Sequence, residues 1–182
     1  MNIFDAAFDH VIGVEGGYVD DPSDSGGATR YGITERVARA NGYTGEMYKL
    51  PIETARKIAK KQYWDILNLD AIAALSNRVA LELFDTGYNM GVSVAGRFLQ
   101  RALNVLNDGG TRWPDIAVDG VAGPITVHAF AKFMQQRGDR GERAMLNALN
   151  AQQAVRYMEI VEARPASERF AFGWLDKRVS MT

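Results

Sequence analysis

Apolar residues recur at helical spacing through most of the chain, which predicts a mainly α-helical protein. Helices are expected before residue 15 and over residues 51–64, 77–91, 94–106, 124–136 and 139–164, with a short one near the C-terminus. Asn77 is the expected N-cap of the third. The expected buried stripe of the second comprises Ile52, Ala55, Ile58, Ala59 and Tyr63. The glycine-rich stretch from Tyr18 to Ile33 has no helical period and predicts a small β-hairpin.

The first helix carries a carboxylate on its apolar face. Phe4, Ala7, Phe8 and Val11 share one side of this helix, and Glu15 follows Val11 by four residues. Burial and the negative end of the helix dipole both disfavour a charged carboxyl there. Glu15 should therefore retain its proton more readily than a free glutamate, as a general acid must. The alternative is a helix-terminal glutamate whose head reaches water past Gly16 and Gly17.

A polar turn segment follows and supplies further oxygen-bearing groups. Asp20, Asp21 and Asp24 precede Thr29 in a stretch rich in proline and glycine. Glycoside hydrolysis needs an acid for the leaving oxygen and a second polar group to hold water or stabilise positive charge, and Asp24 with Thr29 could supply the second function. Ordinary turn formation explains Asp20 and Asp21 better and is an equal alternative for Asp24. The alternation of acidic positions in an EF-hand calcium loop is absent.

Composition excludes several other kinds of chemistry. The formal net charge is −1, which gives no strong field for nucleic acid or an anionic membrane. The chain has no cysteine, and His10 and His128 lack metal-ligand spacing, so neither a metal nor a cofactor is expected. No nucleophile elbow is present. The basic cluster at Arg56, Lys57, Lys60 and Lys61 is expected to form a solvated helix face, with contact to anionic wall polymer as the alternative.

Neither a secretion signal nor a membrane span is predicted. The N-terminus lacks a basic start and a continuous apolar run, since Asp5, Asp9 and His10 interrupt it. No stretch approaches the length of apolar residues that a membrane helix requires.

Three short motifs follow one another: Glu15-Gly-Gly-Tyr-Val-Asp-Asp-Pro, Asp24-Ser-Gly-Gly-Ala-Thr29 and Tyr31-Gly-Ile-Thr34. Together they resemble the signature of glycoside hydrolase family 108, which comprises phage endolysins and related muramidases. Asp20 and Arg30 stand where the family usually or often shows Asn. Weaker similarities follow at residues 84–91, 98–104, 119–126 and 169–179, and the middle ones resemble an accompanying peptidoglycan-binding segment. Asp119, Gly120 and Gly123 are interpreted as loop-forming residues of that segment.

The resemblance implies a lysozyme-like fold, with a catalytic region over residues 1–92 and a helical peptidoglycan-binding region over residues 93–182 that is expected to pack against it. One compact domain is the alternative. It implies cleavage of the β-1,4 bond between N-acetylmuramic acid and N-acetylglucosamine, with Glu15 as the acid. Peptidoglycan glycan strands are then the partner. A phage enzyme of this kind would be made in the host cytoplasm, be released through a holin pore and act on the wall in the periplasm. A monomer is expected.

Aromatic and amide side chains near these motifs are candidates for a sugar cleft, namely Tyr18, Tyr31, Tyr88 and Asn89. Tyrosine faces can stack on pyranose rings and amides can pair with N-acetyl groups. Tyr31 and Asn89 are favoured because the family motifs surround them. Trp174 is expected to anchor the core instead.

Three functions fit the sequence. The first is a hydrolytic muramidase. The second is a lytic transglycosylase that uses the same acid and forms a 1,6-anhydro product. The third is a wall-binding or secretion-assisting module without turnover, which the presence of Glu15 disfavours.

Overall fold

The computed structural model describes residues 2–13, 17–20 and 26–179. The chain divides into two compact units, Met1–Ile66 and Leu67–Thr182. Helices dominate both units, and a small antiparallel sheet lies in the first, so the predicted mainly α fold class is confirmed. Glu15 and Asp24 lie outside the described residues, as does the turn proline between them.

The N-terminal unit is built on the predicted first helix. Helix α1 (Ile3–Gly13) buries the expected face of Phe4, Ala7, Phe8 and Val11. It is followed by α2 (Glu35–Ala40), a 3-10 turn (Met47–Lys49) and α3 (Ile52–Ala59). The edge of the Phe4 ring meets the fully buried Trp64 with 5.4 Å between ring centroids. Aromatic packing therefore joins α1 to the end of the α3 segment.

Three two-residue strands form the sheet, one more than the predicted hairpin. Strands β1 (Tyr18–Val19), β2 (Thr29–Arg30) and β3 (Ile33–Thr34) lie in that order and are antiparallel. The turn from β2 to β3 consists of Tyr31 and Gly32, with φ of 53° and 73°. Two positive φ values suit a two-residue hairpin turn, because the twist of such a turn matches that of the strands.

Two expectations for the segment 51–64 are wrong in part. Ile52 is 38% exposed instead of buried, because it occupies the first helical turn. Arg56 does not belong to a wholly solvated basic face: its guanidinium pairs with Asp5 at 3.2 Å and Asp9 at 2.9 Å on α1. The helix also changes to a π-helical turn over Lys60–Trp64, and that change of pitch directs Trp64 into the core.

The C-terminal unit contains the remaining helices. These are α4 (Leu69–Ala73), α5 (Asn77–Met90), α6 (Val92–Val105), α7 (Pro124–Ala163), a 3-10 turn (Pro165–Ser167) and α8 (Glu168–Lys177). The predicted cap Asn77 is wrong. Ser76 is the N-cap, because it is extended and its Oγ accepts a hydrogen bond of 3.1 Å from the Val79 amide, while Asn77 is already helical.

Helix α7 bends where the sequence predicts two separate helices. Gly138 has φ 52° and ψ −145°, which are not helical values, and a helix continues on each side of it. Near the C-terminus, Trp174 is half-buried and stacks on Tyr157 at 5.1 Å and on Phe170 at 5.9 Å. Within the described residues, none of the helices combines the length and apolarity needed to cross a bilayer.

Candidate functional site

The small sheet carries three of the predicted site residues. Tyr18 is in β1 and 44% exposed, Thr29 is in β2, and Tyr31 occupies the following turn. Thr29 lies in register between Val19 and Thr34, and its side chain is half-buried. The structure therefore brings Tyr18, Thr29 and Tyr31 onto one surface element of the N-terminal unit. The predicted acid Glu15 and its partner Asp24 lie outside the described residues.

Arg30 and Tyr31 support each other at the turn of the sheet. The guanidinium lies 5.0 Å from the centre of the Tyr31 ring, and Nη2 donates a hydrogen bond of 3.3 Å to the Tyr31 hydroxyl. Tyr31 has the left-handed φ of 53°, which few residues other than glycine and asparagine adopt. The cation–π contact and the hydrogen bond help to hold the tyrosine in this conformation.

A carboxylate that the sequence analysis did not select lies against the loop before β2. The Glu35 amide donates to Ala28 O at 2.7 Å and the Arg36 amide donates to Gly26 O at 3.2 Å, so this loop is attached to the start of α2. A Cβ at Gly27 would lie 3.2 Å from Glu35 Oε2. Glutamate is common in the first turn of a helix, so the sequence alone does not distinguish Glu35. Its proximity to the loop is evident only in the three-dimensional structure.

Tyr48 extends the exposed aromatic surface beside Tyr18. Their rings meet edge to face at 6.3 Å, and Tyr48 is 50% exposed. The Tyr48 hydroxyl donates to Glu46 at 3.0 Å, while Tyr18 donates to Asp20 at 3.2 Å. Desolvation and the Asp20 carboxylate raise the pKa of Tyr18 above its ordinary value, so the hydroxyl stays a donor. Two exposed rings offer a surface for sugar faces, and no periodicity in the sequence distinguishes Tyr48.

Tyr88 and Asn89 lie in the last turn of α5, in the C-terminal unit. The Tyr88 ring packs on Phe84 at 5.5 Å and is half-buried. Asn89 is exposed, and its Nδ2 donates to Asp85 O at 2.8 Å and to Asp85 Oδ1 at 3.1 Å. The amide is therefore oriented by the residue one turn earlier.

A network of partly buried polar groups lies beneath Asn89. Asp85 accepts hydrogen bonds from Gln153 Nε2 at 2.9 Å and from Arg178 Nη1 at 3.0 Å. Burial, reinforced by the Asp85 charge, raises the pKa of Glu82 from 4.5 to about 7. Glu82 can therefore exchange a proton near neutral pH. The helical pattern of the sequence did not distinguish this residue.

The glycine-rich motif after α6 folds its own loop. Gln100 Nε2 donates to Asp119 Oδ1 at 2.8 Å, and Gln100 Oε1 accepts from the Gly120 amide at 2.8 Å. Gly120 has φ 84°, and a Cβ there would meet the Ser93 carbonyl oxygen at 2.7 Å. These groups fix the loop against α6. In the part of the chain that the structure describes, no three histidine, aspartate or glutamate side chains form a group that could hold a metal ion.

Comparison with known proteins agrees with this architecture. Residues 8–91 match the model of glycosyl hydrolase 108, and residues 94–179 match that of a predicted peptidoglycan domain. The solved structure of Brucella abortus SagA superposes with a TM-score of 0.69 at 26% identity, covering 96% of this chain and 88% of that chain. No curated protein matches the chain.

The fold and the two matched segments define a lysozyme-like protein that acts on or binds peptidoglycan and contains a glycoside hydrolase domain. Residues 8–91 thus contain a segment that matches glycosyl hydrolase family 108, and residues 94–179 contain one that matches the peptidoglycan domain family. The resemblance inferred from the motifs is thereby confirmed. The two families meet near residue 92, whereas the compact units meet at residues 66 and 67.

Proposed function

We propose that the protein is a muramidase that hydrolyses the β-1,4 bond between N-acetylmuramic acid and N-acetylglucosamine, with Glu15 as the general acid. The observation that carries this proposal is the family 108 match, which spans residues 8–91 and includes Glu15, Asp24 and Thr29. Glycosidases of this chemical class use a protonated carboxyl to assist departure of the leaving sugar.

The apolar face of α1 supports the choice of Glu15. Phe4, Ala7, Phe8 and Val11 form its buried face, and in the sequence Glu15 is the next position of the same stripe. A carboxyl at the apolar end of a helix is disfavoured as an anion, which keeps a proton available for transfer. Asp24 and Thr29 are proposed to hold the attacking water.

The sheet and its neighbours support a sugar-binding surface. Tyr18 and Tyr48 present exposed rings, and Tyr31 is held beside Arg30. Aromatic rings combine a large apolar face with a polar edge, which suits pyranose rings that have both kinds of surface. In this proposal Tyr18 and Tyr31 line a sugar-binding surface of the first unit, and Tyr88 and Asn89 are proposed separately as sugar contacts of the second unit.

The biological setting is proposed from the resemblance to phage endolysins. The protein would be made in the host cytoplasm, leave through a holin pore and act as a monomer on periplasmic peptidoglycan. It would need no metal ion.

The test is lysis of outer-membrane-permeabilised Gram-negative cells by the purified chain, followed as loss of turbidity. Wild-type protein should clear the suspension with or without a chelator, and Glu15→Gln should not. Glu53→Gln is the matched control. Glu53 is 71% exposed on α3, and its contact with Arg56 is long at 3.8 Å, so its loss should have little effect. Loss of wild-type lysis in chelator with recovery in zinc, or full lysis by Glu15→Gln, would refute the proposal.

A further inference from the structure

The surface of the C-terminal unit contains an open apolar groove beside the loop that follows α6. A groove of about 330 Å³ lies between the loop after α6 and the first turns of α7. Trp113, Pro114 and Ile116 form the loop side, and Ile125, Ala129 and Lys132 form the helix side. Six of the eight lining residues are apolar, and His128 and Lys132 are the other two. The volume lies at the small end of the range for ligand pockets.

The loop side of the groove is fixed by hydrogen bonds. Trp113 Nε1 donates to Leu103 O at 3.2 Å, and the Trp113 ring meets Phe133 edge to face at 5.9 Å. The amide and carbonyl of Ile116 both pair with the side chain of Asn104, at 2.9 Å and 2.8 Å. Because these hydrogen bonds within the chain hold the loop in place, binding needs little further ordering of it.

The helix side leaves apolar surface in water. Ile125 is 73% exposed even though it adjoins the buried Trp113 wall. An exposed aliphatic side chain at the edge of a preformed apolar groove can contribute binding energy when a ligand covers it.

One end of the groove is cationic. Ile125, Ala129, Lys132 and Gln136 follow one face of α7, and Gln136 Oε1 accepts a hydrogen bond of 3.1 Å from Arg112 Nη1. Arg112 also lies 3.4 Å from Asp108. Lys132 forms no ion pair with any carboxylate among the described residues. Its ammonium is thus available to a ligand carboxylate.

Apolar walls with a cation at one end suit a short acidic peptide with small aliphatic side chains. A glycan is a poorer fit, because its hydroxyl and amide groups would lose water against walls that offer few polar partners. We infer that this groove binds the peptide stems of peptidoglycan, with methyl groups against Ile116 and Ile125 and a stem carboxylate on Lys132. The inference rests on the proposed function only for the identity of the polymer.

Stem binding would add a second contact to the same polymer whose glycan is cleaved. Two linked contacts on one polymer raise the effective concentration of the second site, so substrate with peptide stems should be held more tightly than bare glycan. Loss of the groove should therefore raise KM for stem-bearing peptidoglycan and leave kcat unchanged.

The experiment is titration calorimetry of the full chain with a soluble stem tetrapeptide, beside hydrolysis of peptide-free glycan chains. Ile125→Asp and Lys132→Glu should each weaken stem binding at least about tenfold, the first because a ligand would have to cover a carboxylate in place of an aliphatic side chain, and the second through charge reversal. Val105→Asp is the control, because Val105 is 83% exposed on α6 and does not line the groove. All three variants should cleave peptide-free glycan at the wild-type rate.

Several outcomes would contradict the inference. Absence of stem binding by the wild-type chain, unchanged binding in both groove variants, or equal weakening by Val105→Asp would overturn it. Slower cleavage of peptide-free glycan by the groove variants would instead make the groove a glycan subsite. Failure of the proposed muramidase activity is distinguishable, since stem binding would then persist in a chain that cleaves no glycan.

Discussion

Arg178 donates a hydrogen bond of 3.0 Å to Asp85, and both side chains are nearly buried, with 13% and 14% of their surfaces exposed. The same carboxylate accepts hydrogen bonds from Gln153 on α7 and Asn89 on α5. One acidic side chain therefore joins α5, α7 and the residue that follows α8. Because Asn89 depends on it, the arrangement links the stability of the C-terminal unit to a candidate substrate contact.

Removal of Arg178 should destabilise the protein strongly. Arg178→Ala leaves Asp85 as a partly buried charge without its cation, and breaking such a pair typically costs about 3–5 kcal/mol. Arg156→Ala is the control, because its pair with Glu159 is 45% and 52% exposed and should contribute about 1 kcal/mol or less. Urea unfolding measures both changes. Similar small losses in the two variants would contradict a special role for the buried pair.

Glu82 should make stability depend on pH. Its pKa is raised from 4.5 to about 7 in the folded protein, mainly by burial and then by the charge of Asp85. The folded state thus holds the proton more strongly, so the free energy of unfolding should fall as pH rises from about 4.5 to 7. The expected loss between pH 5 and pH 8 is roughly 2–3 kcal/mol.

Glu82→Gln isolates this effect, because the amide does not titrate. The difference in unfolding free energy between wild type and Glu82→Gln should shift in favour of the variant on going from pH 5 to pH 8. Other titrating groups cancel in that difference. A difference that is the same at both pH values would show that Glu82 titrates normally.

Gly96 should tolerate no side chain. A Cβ there would lie 2.3 Å from the backbone carbonyl oxygen of Gly120, a residue whose amide donates a hydrogen bond to Gln100 Oε1. Gly96→Ala should therefore separate α6 from the loop and cost about 1–3 kcal/mol. Gly173→Ala in α8 is the matched variant, since nothing lies within 4 Å of its Cβ position. It should be neutral or stabilise by up to about 1 kcal/mol, so equal thermal shifts would contradict the account.

Local sequence patterns predicted the helices well, but they predicted the helix cap and the long-range ion pairs less well. The apolar stripe of α1 and the break near Gly138 were readable because they depend on neighbouring residues. The cap at Ser76 was misassigned by one residue, since Ser and Asn are equally good caps in sequence. The ion pairs of Arg56 with α1 join residues about fifty positions apart, a distance at which no local pattern acts.

The residues of the candidate site were also predicted only where a local motif contains them. Tyr18, Thr29 and Tyr31 were selected through their motifs, and the sheet brings them together. Tyr48 and Glu35 reach the same region only through the fold.

Asp24 and Thr29 should differ in their effect on catalysis. If Asp24 activates or holds the water, Asp24→Asn should lower kcat by about 10²–10⁴. Removal of the Thr29 hydroxyl in Thr29→Val should cost less, about tenfold, because it can orient water but carries no charge. Thr29→Ser retains the hydroxyl and is the control. Unchanged kcat in Thr29→Val would exclude a role for this hydroxyl.

The most direct measurement is mass spectrometry of peptidoglycan digested by the wild-type chain and by Glu15→Gln, with borohydride reduction to label new reducing ends. A hydrolytic muramidase should release fragments that end in reducible N-acetylmuramic acid, and Glu15→Gln, folded by circular dichroism, should release almost none. Fragments that end in 1,6-anhydromuramic acid would show a transglycosylase, and reducible N-acetylglucosamine ends would show cleavage of the other glycosidic bond. Either product, or reducible muramic acid ends formed at the wild-type rate by Glu15→Gln, would contradict the account.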